Sequence, residues 1–321
     1  RRLSSFLLYQ KTLEFCGLQG KTELSRTVLP WLSMLYMGLT WGLSFSLAKL
    51  ATDFGGAPLG ISFWTALFSG IILLAYCFVT RRQTVLSWES VKIFFILALL
   101  GTALPGLGIY YAASKVPAGV LSITITLVPI FTYGLALAFG LETFSKLRFL
   151  GLFLGFASIC LIVLPETSLP TKAAAFWVLI ACLSSFFYAV ENIYLTIKKL
   201  NNYGVIRLSC GMHLMASILL FFPAYFTGSL SETITNSTEL TITLFCLSLI
   251  TATTYTLFIF TIRESGPIFA SQVGYLVTIS GLIWGMILFS ETHSTWIWIA
   301  FALMMCGLSF VSPRANNPTD K

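Results

Sequence analysis

Apolar residues run through this chain in stretches of about 18 to 25, each long enough as an α-helix to cross roughly 30 Å of hydrocarbon. The pattern predicts ten such helices, at about 29–50, 60–80, 91–112, 118–140, 146–165, 173–197, 206–227, 240–262, 268–289 and 295–312. Turn residues mark the breaks: Gly55-Gly56-Ala57-Pro58, Lys115-Val116-Pro117, Asn201-Asn202-Tyr203-Gly204 and Ser265-Gly266-Pro267. Within the third helix, Gly101, Pro105, Gly106 and Gly108 predict a loosened backbone, and Pro129 predicts a bend in the fourth. No stretch is left over for a large soluble domain.

The stretch from Ser114 to Pro165 returns 149 positions later. Glu142-Thr143-x-Ser145 matches Glu291-Thr292-x-Ser294 in register, and Ser122, Leu127 and Val128 match Ser271, Leu276 and Val277. Identity is sparse, so the constant offset carries the case for an internal duplication.

Composition agrees with a lipid solvent, since 57% of residues are hydrophobic and only 10% are charged, too few to cover a soluble surface. The charges that are present orient the chain, because Lys and Arg favour the cytoplasmic side. With the N-terminus inside, every Lys and Arg except Lys49, Lys115 and Lys172 falls in a tail or an even-numbered connection, 16 of 19 in all. Both ends are then cytoplasmic: a basic tail at 1–28, with no convincing signal peptide, and a short one at 313–321. Five helices per copy is an odd number, so the second copy (173–312) enters the membrane upside down relative to the first (29–165). The charges follow: Arg81 and Arg82 have no basic counterpart in the second copy, whereas Lys198 and Lys199 have none in the first. The expected fold is therefore all-α, a polytopic membrane protein of ten transmembrane helices in two inverted five-helix repeats. Such architectures place a substrate site near the midplane between the copies.

Trp41-Gly42-x-Ser44-Phe45 running to Lys49, Tyr110-Tyr111-Ala112-Ala113 leading to Pro117-Ala118-Gly119, Pro129, and Gly140-Leu141-Glu142 together resemble the EamA-type transporters of the drug/metabolite transporter superfamily. The resemblance spans about 29–312. The second copy departs from it, with Phe187-Tyr188-Ala189 where a Trp-Ala pair is usual and Thr278 where the first copy has Pro129. It implies a ten-helix carrier with a central cavity lined from both halves, in a bacterial inner membrane. It names no substrate, because similar members export amino acids, metabolites or drugs and others import.

An ionisable residue inside hydrocarbon costs at least a few kcal/mol and asks for a reason. Three stand out: Lys49 near the outer end of the first helix, Glu191 in the sixth and His213 in the seventh. Counting about 1.5 Å per residue from Lys198 and Arg207 puts Glu191 and His213 at one depth, roughly 10 Å from the cytoplasmic edge. A Glu–His pair there could couple transport to protonation. Structural readings stand beside each: Lys49 can snorkel to the interface, and His213 can bond a backbone carbonyl. Glu142 and Glu291, at helix ends, suit helix-end and loop contacts. Thr251, Thr254 and Tyr255 share a helical face suited to interhelical hydrogen bonding. Trp41, Tyr255, Gln272 and Tyr275 are candidates for the walls and polar anchors of a small-molecule site.

The seven cysteines have no C-x-x-C pair, so neither a disulfide framework nor a zinc site is indicated. Asn236-Ser237-Thr238 fits a glycosylation sequon in an outside connection. No phosphate loop, zinc-binding His pair or nucleophile elbow occurs, which argues against ATP hydrolysis or a hydrolase. No cofactor, metal or nucleic acid is expected. The expected partners are the lipid bilayer and a small-molecule substrate, with H+ or Na+ as candidate coupling ions, and a homodimer is left open. The alternative from another class is an intramembrane enzyme using Glu191 and His213 as acid and base.

Overall fold

A computed structural model describes residues 19–80, 87–165, 169–198, 203–235, 237–271 and 273–311, with side chains placed for these apart from 19–30, 234–235, 262–271 and 311. Within them the chain is helical and has no strand. The helices are α1 (Gln19–Asp53), α2 (Pro58–Val79), α3 (Trp88–Ala98), a π-helical segment (Leu99–Ala103), α4 (Leu104–Ala113), α5 (Ala118–Thr124), α6 (Leu127–Ala138), α7 (Lys146–Val163), α8 (Ala174–Lys198), α9 (Val205–Phe226), α10 (Ser229–Thr235), α11 (Thr238–Ser271), α12 (Val273–Phe289) and α13 (Thr295–Val311). Among the described residues, seven helical stretches are long and apolar enough to cross a membrane: 58–79, 88–113, 118–138, 146–163, 174–198, 205–226 and 238–261. Two shorter apolar helices follow, Val273–Phe289 and Thr295–Phe310.

Both helix defects expected from proline are present, and each has the same cause. Pro105 has no N–H to give the carbonyl of Gly101, and the backbone just before it widens, with Leu104 N–H bonding back five residues to Leu99. Pro129 likewise cannot reach Ile125, and the helix breaks between Thr124 and Leu127. The Thr124 carbonyl at that break accepts from the Ser185 hydroxyl of α8 at 2.8 Å, so the break is stitched to the other half of the chain.

Three boundaries differ from the sequence reading. α1 is already helical at Gln19, ten residues before the expected start, and α11 runs on to Ser271 through the expected Ser265-Gly266-Pro267 turn. One proline removes a single donor, and a helix whose remaining bonds are intact can continue across it. The connection expected before 240 holds a short helix, α10, which roofs one end of α2: Trp64 Nε1 donates to the Leu230 carbonyl at 3.2 Å.

Helix directions can be read from paired contacts. α1 and α12 run parallel, Gly38 meeting Leu276, Gly42 meeting Val277, Ser280 and Gly281, and Lys49 lying over Phe289. α7 and α13 run antiparallel: Gly151 and Gly155 meet Gly307, while the Ser158 hydroxyl donates to Ala300. α2 and α9 are also antiparallel, with Phe63 against Phe221 and Gly70 against Leu214. The main packing pairs map onto one another when the helices of 29–165 are exchanged with those of 173–312. α1 on α12 corresponds to α8 on α5 and α6, and α1 on α11 corresponds to α8 on α4. α2 on α11 corresponds to α9 on α3, while α2 on α9 and α7 on α13 correspond to themselves.

Small residues allow the closest of these contacts. Gly38 and Gly42 form a G-x-x-x-G step on α1 against α12, the spacing that lets membrane helices approach. Across it Ser280 donates to the Gly38 carbonyl at 2.6 Å and Trp284 Nε1 to that of Leu39 at 3.1 Å.

Candidate functional site

Glu191 sits two-thirds of the way along α8, and its residue is only 2% exposed. Its carboxylate fits against the π-helical segment where Gly101 has no side chain; a Cβ there would strike the carboxyl carbon and both oxygens. The donor it receives among the described residues is the Tyr255 hydroxyl of α11, to Oε1. The carboxylate therefore lies where the first half (Gly101) meets the second (Glu191, Tyr255).

His213, on α9, is equally buried at 1%. Its Nδ1 stands 2.7 Å from the Ser209 carbonyl one turn back, and its ring meets that of Tyr255 edge-on, centroids 5.9 Å apart. The direct Glu191–His213 pair that their shared depth left possible is not formed among the described residues. His213 is turned toward its own helix, and Tyr255 touches both. Equal depth fixes height along the helices but not which way each side chain points.

Trp41 belongs to the same neighbourhood. It packs edge-on against Phe258, one turn from Tyr255, at 5.6 Å, and borders the apolar cluster that contains Tyr255. Lys49 does not belong to it. It lies about 12 Å further along α1, pairs with Asp53 at 3.9 Å and covers the Phe289 ring at 5.5 Å. Tyr275 is half-buried on α12 beside the α1 contact, and Gln272 lies outside the described residues. Thr254 spends its hydroxyl on its own helix, bonding Ile250 at 2.7 Å.

Reading the sequence missed two contributors. Gly101 looks like a helix-loosening residue but is the notch that admits the carboxylate. The helices around the site also carry buried hydroxyls with no protein partner among the described residues: Ser62 on α2, Thr102 on the π segment and Ser209 on α9. Each such group costs about 1–3 kcal/mol unless something polar meets it. An open apolar groove of about 390 Å³ between α4 and α8 is separate from this site; its residues Leu104 and Phe187 stand one turn from Gly101 and Glu191. It carries no charge and opens outward, as lipid-facing helix surfaces do.

The notch yields a direct test. Gly101→Ala should displace the Glu191 carboxylate and break its bond to Tyr255, destabilising the protein by ~1–3 kcal/mol, which thermal unfolding in detergent would measure. Gly101→Ala melting with the parent would show that the notch does not position the carboxylate.

Residues 29–164 and 175–312 each match the EamA-like transporter family. The chain is 24% identical over 295 residues to the uncharacterized inner membrane transporter YedA of Escherichia coli strain K12, covering 89% of this chain and 92% of that protein. The match to YedA of E. coli O157:H7 has the same identity and coverage. A solved structure described only as a crystal structure of protein shares the fold at a TM-score of 0.58 and 16% identity, over 87% of this chain and 96% of its own.

Proposed function

The chain belongs to the EamA-like transporter family, a multi-pass membrane transporter, and from that premise we propose a secondary carrier that moves a small metabolite, amino acid or drug-like solute by alternating access. Its two halves are inverted five-helix repeats, and the passage between them runs past Glu191, Tyr255, His213 and Trp41. The observation that carries this reading is the Glu191 carboxylate, buried where both halves meet and bonded by Tyr255. A charge at that depth is costly unless a proton or a cationic group accompanies it, which suits a residue that exchanges a proton or ion for substrate. The mirrored helix pairs support the repeat, and the antiparallel α7 and α13 set the loops of Glu142 and Glu291 at opposite ends. The absence of a Glu191–His213 bond weighs against acid–base catalysis by that pair.

Uptake of labelled metabolites into proteoliposomes, with and without an imposed proton or sodium gradient and with product analysis, tests the proposal. Accumulation of unchanged solute is expected; chemical conversion without accumulation would overturn it in favour of an enzyme. The orientation is tested separately. Cysteines introduced at Ser231 and at Lys198 should react with an impermeant thiol reagent from outside and from inside respectively, and reaction of both from one side would refute cytoplasmic termini.

A further inference from the structure

The two matched glutamates stand in different surroundings. Glu142, ahead of α7, keeps 43% of its side chain exposed and pairs with Arg148 at 2.9 Å. Glu291, ahead of α13, keeps 9%. Its carboxylate accepts the N–H of Ala118 at 2.7 Å and of Gly119 at 3.1 Å, the first amides of α5, across the boundary between the halves. Carboxylate bonds to backbone amides at a helix start are among the stronger hydrogen bonds a protein makes.

The seat is shaped around that contact. A Cβ on Gly285 would meet Glu291 Oε2 at 2.5 Å, and one on Gly119 would meet His293 Nε2 at 2.8 Å. Ser290 takes the left-handed backbone at φ 52°, a conformation a non-glycine residue holds at a cost, to turn the chain from α12 into the contact. Behind it His293, its side chain 1% exposed, holds Nε2 3.7 Å from Glu291 Oε2, and that Nε2 has no hydrogen-bond partner among the described residues. Burial holds this imidazole below its ordinary pKa against the opposing pull of Glu291, so it is neutral at pH 7 and the carboxylate is answered by the helix amides. Further along the same two helices, Ser122 donates to the Thr278 carbonyl at 3.3 Å and Thr278 to that of Ser122 at 3.2 Å.

We infer that Glu291 is the outer latch of the carrier: its hold on α5 closes the passage between the halves at the outer face, and release of that hold is the step that opens it. The inference rests on the alternating-access reading above. Glu142, its counterpart at the opposite face, bonds an arginine instead of a helix start, and so represents the unlatched form of the same device.

The test needs no known substrate, so it can fail or succeed apart from the carrier reading. Thr278, fully buried in this conformation, is replaced by cysteine in a chain whose native cysteines are serine, and its reaction with an impermeant thiol reagent is followed from each side of the membrane. Slow labelling is expected in the parent and at least about fivefold faster labelling from outside in Glu291→Gln, a change of ~1 kcal/mol in gate closure. Glu142→Gln should not raise it. Gly285→Ala, whose methyl would meet Glu291 Oε2 at 2.5 Å and the Gly119 nitrogen at 3.0 Å, keeps the carboxylate but wedges it from α5; it should act as Glu291→Gln does and covers the case in which that variant does not fold. Faster labelling from the cytoplasmic side would keep the latch and reverse the assigned orientation. Unchanged labelling in folded Glu291→Gln or Gly285→Ala would reduce the contact to a helix cap and overturn the inference.

Discussion

Glu191→Gln is expected to abolish transport or its pH dependence while the protein still inserts and folds. Glutamine matches the size of the side chain and keeps an oxygen for the Tyr255 hydroxyl, so the Gly101 notch stays filled and the helix contacts stay intact. What it removes is the ability to carry a negative charge and to exchange a proton. If the carboxylate binds a proton, a cation or the amine of a substrate, nothing nearby replaces it: the other groups at the site are hydroxyls, an indole and an imidazole bonded to its own helix. Tyr255→Phe should show a smaller loss, because it removes one hydrogen bond to a charged group, about 1.5–3 kcal/mol. His213→Asn should only shift the pH profile, since His213 reaches Glu191 through the Tyr255 ring. Proteoliposome flux measured across a pH series separates these outcomes. An unchanged rate and pH profile in Glu191→Gln would make the residue structural and leave substrate recognition to neutral groups.

The sequence was informative where one residue type forces a backbone or solvation consequence. Pro105 and Pro129 cannot donate a hydrogen bond, and both helix defects lie within six residues before them. A carboxylate such as Glu191 is uncomfortable in lipid, and it proved to be buried and bonded. Matters of direction and reach were not legible. Depth suggested His213 as the partner of Glu191, but rotation about the helix axis gives that place to Tyr255. Hydropathy placed the helix ends near the hydrocarbon edge, whereas hydrogen-bond continuity carries α1 and α11 past it. The matched Glu142 and Glu291 were legible as helix-end residues, yet nothing local in the sequence says that Glu291 reaches Ala118 and Gly119, more than 170 positions away. Gly42 was legible as part of a motif, and its physical reason became visible only with α12 in place.

That reason leads to the second large effect. Gly42→Ala should destabilise the protein by about 3 kcal/mol, the upper part of the range for an overpacked contact. The added methyl would meet not only the Ser280 hydroxyl but the Gly281 nitrogen at 2.8 Å and the Val277 carbonyl at 2.9 Å. A side chain can rotate aside, but backbone atoms of a packed helix move only with the whole helix. α12 has little freedom to do so, because its other face meets α5, with Gly281 against Ser122. Gly134→Ala supplies the control. Gly134 lies inside α6 with nothing within 4 Å of where a Cβ would stand, so the same substitution there should be neutral or should stabilise by up to ~1 kcal/mol from helix propensity. Thermal unfolding in detergent, followed by the reactivity of buried cysteines such as Cys182 and Cys210, reads both variants in one assay. Equal melting of Gly42→Ala and Gly134→Ala would mean that α1 and α12 do not close on each other at Gly42, and that the motif glycine answers to something other than packing.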